Sequence, residues 1–382
     1  MLDRDGQIAK AIDGALARGE VGLQVAAYLD GKLVLDVCGG SADQTTDRMV
    51  DGDTLFTVFS ATKGVAATAL HIQAERGLLE YDRPISQYWP EFAQQGKGHV
   101  TVRQTLDHSI GVPGMPPGCT IDQMCDWDFM TAAIAAMAPV WEPGTKHGYH
   151  AYTFGWMVGE LVRRVDPRLR PFGRWIQDEI CAPLGIDSLW MGIPDEVEPR
   201  VARLTNMPPP AQPVAIPPDA LILKAIPPSL GVTQEVFGRP EVRRACIPGA
   251  GGIMNARSLA HHYAMVANGG ELDGVRMLSK ERIDQMCALQ SDETDQVIGQ
   301  AYRRGMGYWL GGEPLNANTA VIGRNPRAFG HPGAGGSIGW ADPDARLAVA
   351  ILKNRMLAPA SPEENPLVEL ADEVRRVLAV PG

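Results

Sequence analysis

The chain has 382 residues, more than one compact core usually holds, so two subdomains or one domain carrying a large insertion are expected. Hydrophobic residues make up 45% and charged residues 21%, ordinary values for a globular chain, which excludes wholesale disorder and coiled-coil architecture. With 45 acidic against 35 basic residues the net charge is −10, which repels phosphate backbones and anionic lipid surfaces, so neither nucleic acid nor a membrane is an expected partner.

Met1 to Gly6 has neither the basic flank nor the apolar run of a secretory signal, and no later stretch reaches about 18 uninterrupted apolar residues. A cytoplasmic location is expected. Asp5 to Arg18 alternates apolar and polar residues at helical spacing and Gly19 offers a stop, which predicts an amphipathic helix. Val21 to Leu29 and Lys32 to Val37 are strand-like segments separated by Asp30-Gly31, a dipeptide that closes two-residue hairpins.

Phe59-Ser60-Ala61-Thr62-Lys63-Gly64 then precedes a helical run, Ala61 to Arg76. With Ser60 at the helix N-terminus, Lys63 lies one turn on and on the same face, so the amine comes near the hydroxyl. A buried lysine sheds its charge and becomes the base that a serine nucleophile needs. The small Ala66, Ala67 and Ala69 suit a central helix packed closely on a sheet.

Trp141-Glu142-Pro143-Gly144 is a turn that delivers Tyr149 just before the helical pattern Phe154 to Leu161. That aims a phenol at a pocket, where a nearby ammonium would stabilise its anion. Met207 to Pro228 holds eight prolines in 22 residues, too many for a helix or a central strand. It reads as a surface loop or lid, with Leu221-Ile222-Leu223 packed down, and as the rim of an acyl site. Phe329 to Gly339 is glycine-rich and heads a strand, leaving amides free to point at an oxyanion. Gly335 to Ala341 and Arg346 to Asn354 read as strands joined by Asp342-Pro343-Asp344, and Pro366 opens a last helix through Leu378.

Strand pairs at both ends with a mostly helical middle predict an α+β fold. The expected division is a discontinuous sheet domain, residues 1–85 with 300–382, and a mainly helical domain, 86–299.

The ordered set Ser60-x-x-Lys63, Tyr149 and His331-Pro332-Gly333 resembles the serine hydrolases of the class C β-lactamase type, and most nearly the family VIII carboxylesterases. Thr105 to Pro113, Pro183 to Ser188 and Gly249 to Ile253 with Ser258-Leu259-Ala260 are similar to further landmarks of that group, in family order. The resemblance implies the β-lactamase/DD-peptidase-like fold, an antiparallel sheet flanked by helices beside a mainly helical domain. It implies Ser60 as the acylated nucleophile, Lys63 as its base and Tyr149 as the proton relay, with Tyr149 hydrogen-bonded to Lys63. The Ser60 and Ala334 amides become the oxyanion hole, and His331, Gly333 and Ala334 contact substrate.

Two departures tell against a β-lactamase proper. The family's Tyr-x-Asn becomes Tyr149-His150-Ala151, and the hydroxyl residue of the strand motif becomes Pro332. A missing hydrogen bond to a charged group costs about 1.5 to 3 kcal/mol, one or two decades of β-lactam turnover. The expected activity is therefore hydrolysis of a small ester substrate through an acyl-serine. β-Lactamase, DD-peptidase or acyltransferase chemistry on the same fold is the alternative, followed by a non-catalytic binding scaffold.

Gly335-Gly336-Ser337-Ile338-Gly339 also spells G-x-S-x-G, but no histidine follows His331 and no helix follows the serine, so Ser337 is not expected to be a nucleophile. Six scattered cysteines contain no C-x-x-C, and His261-His262 lack metal-helix spacing and read as surface or packing residues. No phosphate-binding glycine loop is present. No cofactor and no metal are expected.

Overall fold

The computed structural model describes residues 3–206, 216–313, 316–317, 319–357 and 361–381. Strands from near both ends of the chain build one antiparallel sheet. They are β1 (Gly22–Leu29), β2 (Lys32–Asp43), β3 (Arg48–Met49), β4 (Trp309–Leu310), β5 (Phe329–Pro332), β6 (Ile338–Asp342) and β7 (Leu347–Lys353). Their order is β3-β2-β1-β7-β6-β5-β4, with Ala26 of β1 opposite Ala350 of β7. The β1–β2 hairpin closes through Asp30 and Gly31 at φ 52° and 77°, the pair of left-handed residues that matches the twist of the flanking strands.

Five longer helices surround the sheet: α1 (Arg4–Ala17), α2 (Thr62–Glu75), α3 (Thr153–Val165), α4 (Ala256–Ala267) and α5 (Pro366–Leu378). Successive strand side chains point to opposite faces. Leu23, Val25, Val349 and Ile351 pack with Ile8 and Ile12 of α1 and Leu370 and Val374 of α5. Ala26, Ala348 and Ala350 pack on the other face with Leu259 and Tyr263 of α4. Alanines there let α4 approach closely; a Cβ at Gly339 would lie 2.6 Å from the Tyr263 ring. With both faces covered, the inner strands are apolar throughout instead of alternating.

Helix α2 is buried on every side from Thr62 to Ala74, and its polar Lys63, Thr68, His71 and Gln73 are each hydrogen-bonded in the interior. A second, three-stranded sheet places Gly252–Met254 between Phe56–Thr57 and Leu189–Met191. None of these three segments was legible as a strand, since two or three residues carry no readable alternation.

The terminal helices, the hairpin and the last strand form where the sequence places them. Gly335 to Ser337 do not: β6 starts at Ile338, because Gly335 and Gly336 adopt φ of 83° and 116° and turn the chain. In the proline-rich segment, residues 207–215 lie outside the described residues. Beyond them Leu221–Ala225 winds into a single helical turn, which the proline count had argued against; the five residues contain no proline. Leu221 and Ile222 pack down, as expected. His262 is fully buried and hydrogen-bonded to Thr68, and His261 stacks on Tyr28, so both are packing residues. All six cysteines are free.

Candidate active site

Ser60 sits at the turn leading into α2, where Lys63 donates its backbone N–H to the Ser60 carbonyl at 3.0 Å. The serine side chain does not cap the helix; it faces inward, with Oγ 2.9 Å from Lys63 Nζ. The residue before it, Phe59, has a φ of 46°, an uncommon value for a bulky side chain. A bridge to Gly251 and edge contact with the Phe237 ring hold it there. Nothing in the sequence announced this strained step, which is what turns Ser60 toward the lysine.

Lys63 is wholly buried and pairs with no carboxylate; burial alone pushes its pKa well below the usual lysine value. Its Nζ lies 2.6 Å from both the Ala151 and the Gly249 carbonyls. A neutral amine has two N–H bonds and one lone pair. In that form the two carbonyls would take the N–H bonds and leave the lone pair for the Ser60 hydroxyl, whereas an ammonium would donate to all three oxygens. Ala151, which replaces the family asparagine, thus contributes its backbone to the site. The small sheet brings Gly249 there, and Gly155 in the first turn of α3 lets it approach, since a Cβ at that position would lie 1.9 Å from the Gly249 nitrogen.

Tyr149 is buried and borders the same cleft as Ser60, which exerts a hydrogen-bonding pull on its phenol. The bonds of Lys63 Nζ run to Ser60, Ala151 and Gly249 and not, as expected, to the tyrosine; the amine lies over the ring face, 5.0 Å from its centroid. Burial is the largest influence on Tyr149 and pushes its pKa up, so the group rests as a phenol. His331 lies beside it as expected, ring centroids 6.0 Å apart, also buried and held neutral by burial. Its Nδ1 is 2.8 Å from the Pro332 carbonyl.

Gly333 and Ala334 border the same cleft as Ser60 and Tyr149. Among the described residues, the backbone hydrogen bonds of the surrounding turns and loops engage neither the Ser60 nor the Ala334 amide, which leaves both free for an oxyanion. The turn sits close to the nucleophile strand: a Cβ at Gly333 would lie 2.1 Å from the Val58 carbonyl oxygen.

The cleft over Ser60 has a volume of about 180 Å³. That is below the 300 to 1,000 Å³ of drug-sized sites. Its walls are apolar or aromatic, chiefly Ile226, Val232, Ile298, Tyr302 and Trp309. Among the described residues no lysine, arginine or carboxylate lines it. Sequence reasoning missed these walls, because such residues look like any others until the fold gathers them. Ile226, at the end of the proline-rich segment, reaches the cleft, whereas Leu221 and Ile222 do not line it. A larger cleft of about 980 Å³ beside α5 is lined by charged groups such as Arg324, Glu369 and Asp372, and no serine, cysteine or lysine lines it. Among the described residues no cluster suits a metal ion, and no helix is long and apolar enough to cross a membrane.

Comparison with known proteins agrees with this geometry. The chain is 37% identical over 352 residues to "Esterase/beta-lactamase LipL" of Mycobacterium tuberculosis (strain ATCC 25618 / H37Rv), covering 88% of this chain and 77% of that protein. A solved family VIII carboxylesterase superposes with a TM-score of 0.86 at 33% identity, over 97% of this chain and 98% of the other. A penicillin-binding protein homologue from Caulobacter crescentus does so with a TM-score of 0.86 at 35% identity, over the same shares. The fold is that of the β-lactamase-like hydrolases, an antiparallel sheet with flanking helices. Residues 8–373 match the Beta-lactamase family profile, and the chain belongs to the β-lactamase family.

Proposed function

We propose that the protein is a serine carboxylesterase that hydrolyses short-chain esters through an acyl-Ser60 intermediate. The observation that carries this reading is the wholly buried Lys63 amine, held by the Ala151 and Gly249 carbonyls, with its Nζ 2.9 Å from the Ser60 hydroxyl. Lys63 takes the Ser60 proton as Oγ attacks the ester carbonyl carbon. The Ser60 and Ala334 amides hold the oxyanion. Tyr149 gives its phenolic proton to the leaving alkoxide and is restored from the Lys63 ammonium. A water molecule then attacks the acyl carbon, its proton passes back along the same groups, and Ser60 leaves as the alcohol. Every group begins and ends neutral.

The cleft supports a short, uncharged substrate. At about 180 Å³ it is smaller than sites for drug-sized ligands. Without a cation in the lining, the carboxylate of a β-lactam has no partner, in line with the replacements at Ala151 and Pro332. The family VIII carboxylesterase supports the ester reading, and the Mycobacterium tuberculosis relative, named for both activities, supports an esterase without deciding against a lactam. The reading places the cleft on the seam between the sheet unit, residues 1–85 with 300–382, and the helical unit, 86–299. Free cysteines suit a reducing compartment, consistent with a cytoplasmic enzyme.

Wild-type protein is expected to cleave nitrophenyl acetate and to gain one fluorophosphonate adduct by intact mass, and Ser60→Ala to lose both. Persistent labelling of Ser60→Ala would refute the assignment. Hydrolysis of a chromogenic cephalosporin as fast as the best ester would replace the esterase reading with a β-lactamase one.

A further inference from the structure

The serine of the G-x-S-x-G sequence is no nucleophile, yet its hydroxyl is placed with care. Ser337 is buried at the junction between the Gly333–Gly336 turn and β6. The β6–β7 ladder ends at the pair Ile338 and Ile351. Beyond it, Lys353 would present a bare N–H and C=O on the β6 side. The Ser337 side chain takes both, accepting from Lys353 N at 3.1 Å and donating to the Lys353 carbonyl at 3.3 Å. The hydroxyl thus stands in for one ladder pair where the backbone turns away.

The same residue closes the turn from its other side. The Ser337 carbonyl accepts from Gly333 N at 2.6 Å, and the Gly333 carbonyl accepts from Gly336 N at 2.9 Å. These bonds engage the Gly333 and Gly336 amides and leave that of Ala334 free. The anchor point is firm: Lys353 is ion-paired with Glu20 in the interior, and Asn354 donates to the Ser41, Ala42 and Arg203 carbonyls. The turn lies against this segment, since a Cβ at Gly335 would be 2.7 Å from Met356 Sδ.

We propose that Ser337 is a positioning residue for acyl transfer, its hydroxyl tying the oxyanion turn to β7 so that the Ala334 amide stays aimed at the reacting carbonyl. The inference rests on the Ser60 esterase reading. Oxyanion stabilisation is sensitive to donor placement, and a misplacement of about 1 Å costs up to a hundredfold in rate.

The test measures ester kinetics, inhibition by a trifluoromethyl ketone, and melting for wild type, Ser337→Ala and Ser337→Cys. The cysteine variant keeps the volume but bonds weakly, and it carries the test should the alanine variant not fold. The expected result is a fall in kcat of roughly ten- to a hundredfold with KM within about threefold. Affinity for the ketone, which binds as a tetrahedral oxyanion, should weaken by a similar factor, and the fluorophosphonate adduct should still map to Ser60. Unchanged kcat and ketone affinity in a folded variant, or a loss confined to KM, would overturn the proposal. Absence of any adduct or turnover in wild type would instead sink the esterase reading itself.

Discussion

In the proposed mechanism Lys63 is a buried base without a charged partner. An ammonium there would lack a counter-ion among the described residues, and burial disfavours the charged form by several kcal/mol before hydrogen bonds offset part of it. Burial therefore favours the amine form, which is the form the proposed mechanism uses. The pH dependence follows: kcat/KM should hold through neutral pH and fall on the acid side as Lys63 takes up a proton. Lys63→Ala and Tyr149→Phe should each lower kcat by about a hundredfold or more while KM moves by less than about threefold. Steady-state kinetics on a nitrophenyl ester checks this, and losses confined to KM would mean that the two residues only bind. Ser60, Lys63 and Tyr149 were legible in the sequence because few side chains perform their chemistry. The Ala151 and Gly249 carbonyls were not, because every residue carries that group and only the fold selects two of them.

Helix α3 meets the turn at Gly249 with no room to spare. In an ordinary exposed helix, replacing glycine by alanine stabilises by up to about 1 kcal/mol. At Gly155 the new Cβ would land 1.9 Å from a backbone nitrogen, and overpacking of this kind costs about 1 to 3 kcal/mol. The clash outweighs the propensity gain. Gly155→Ala should therefore melt lower than wild type and also turn over more slowly, since the displaced Gly249 carbonyl is one of the two that orient Lys63. A melting temperature at or above wild type would contradict this packing. At the same scale, the long periodic elements α1, β1, β2 and α5 were predictable from their spacing. The segment Gly335 to Ser337 reads as strand in the sequence but turns in the structure, since glycine runs fit an extended segment as well as a tight turn.

Across the molecule, burial keeps several histidines neutral. His71, His150 and His262 are each pushed to about 3, and His108 and His331 well below 6.5, by desolvation. In the unfolded chain they regain the ordinary value, so as the pH falls through 6.5 the unfolded state takes up protons first. Stability is then full above about pH 6.5 and erodes toward pH 3, by up to about 1.4 kcal/mol per pH unit for each histidine. The buried carboxyls of Glu20 and Asp107, raised by burial, act in the opposite sense, but they are two against five. Urea midpoints should drop between pH 7 and pH 5; a flat profile would show that the folded protein accommodates charged imidazoles. The overall architecture was readable because its two strand pairs lie near opposite ends of the sequence. That arrangement also orders events on the ribosome. Glu20 and Lys353 are 333 residues apart, so β1 waits for its central partner until nearly the whole polypeptide has emerged, tens of seconds at about 5 to 20 residues per second. During that interval the faces of α2 that the finished fold buries have no cover from the completed sheet, and a ribosome stalled before residue 347 would release a chain made for chaperones rather than for esters.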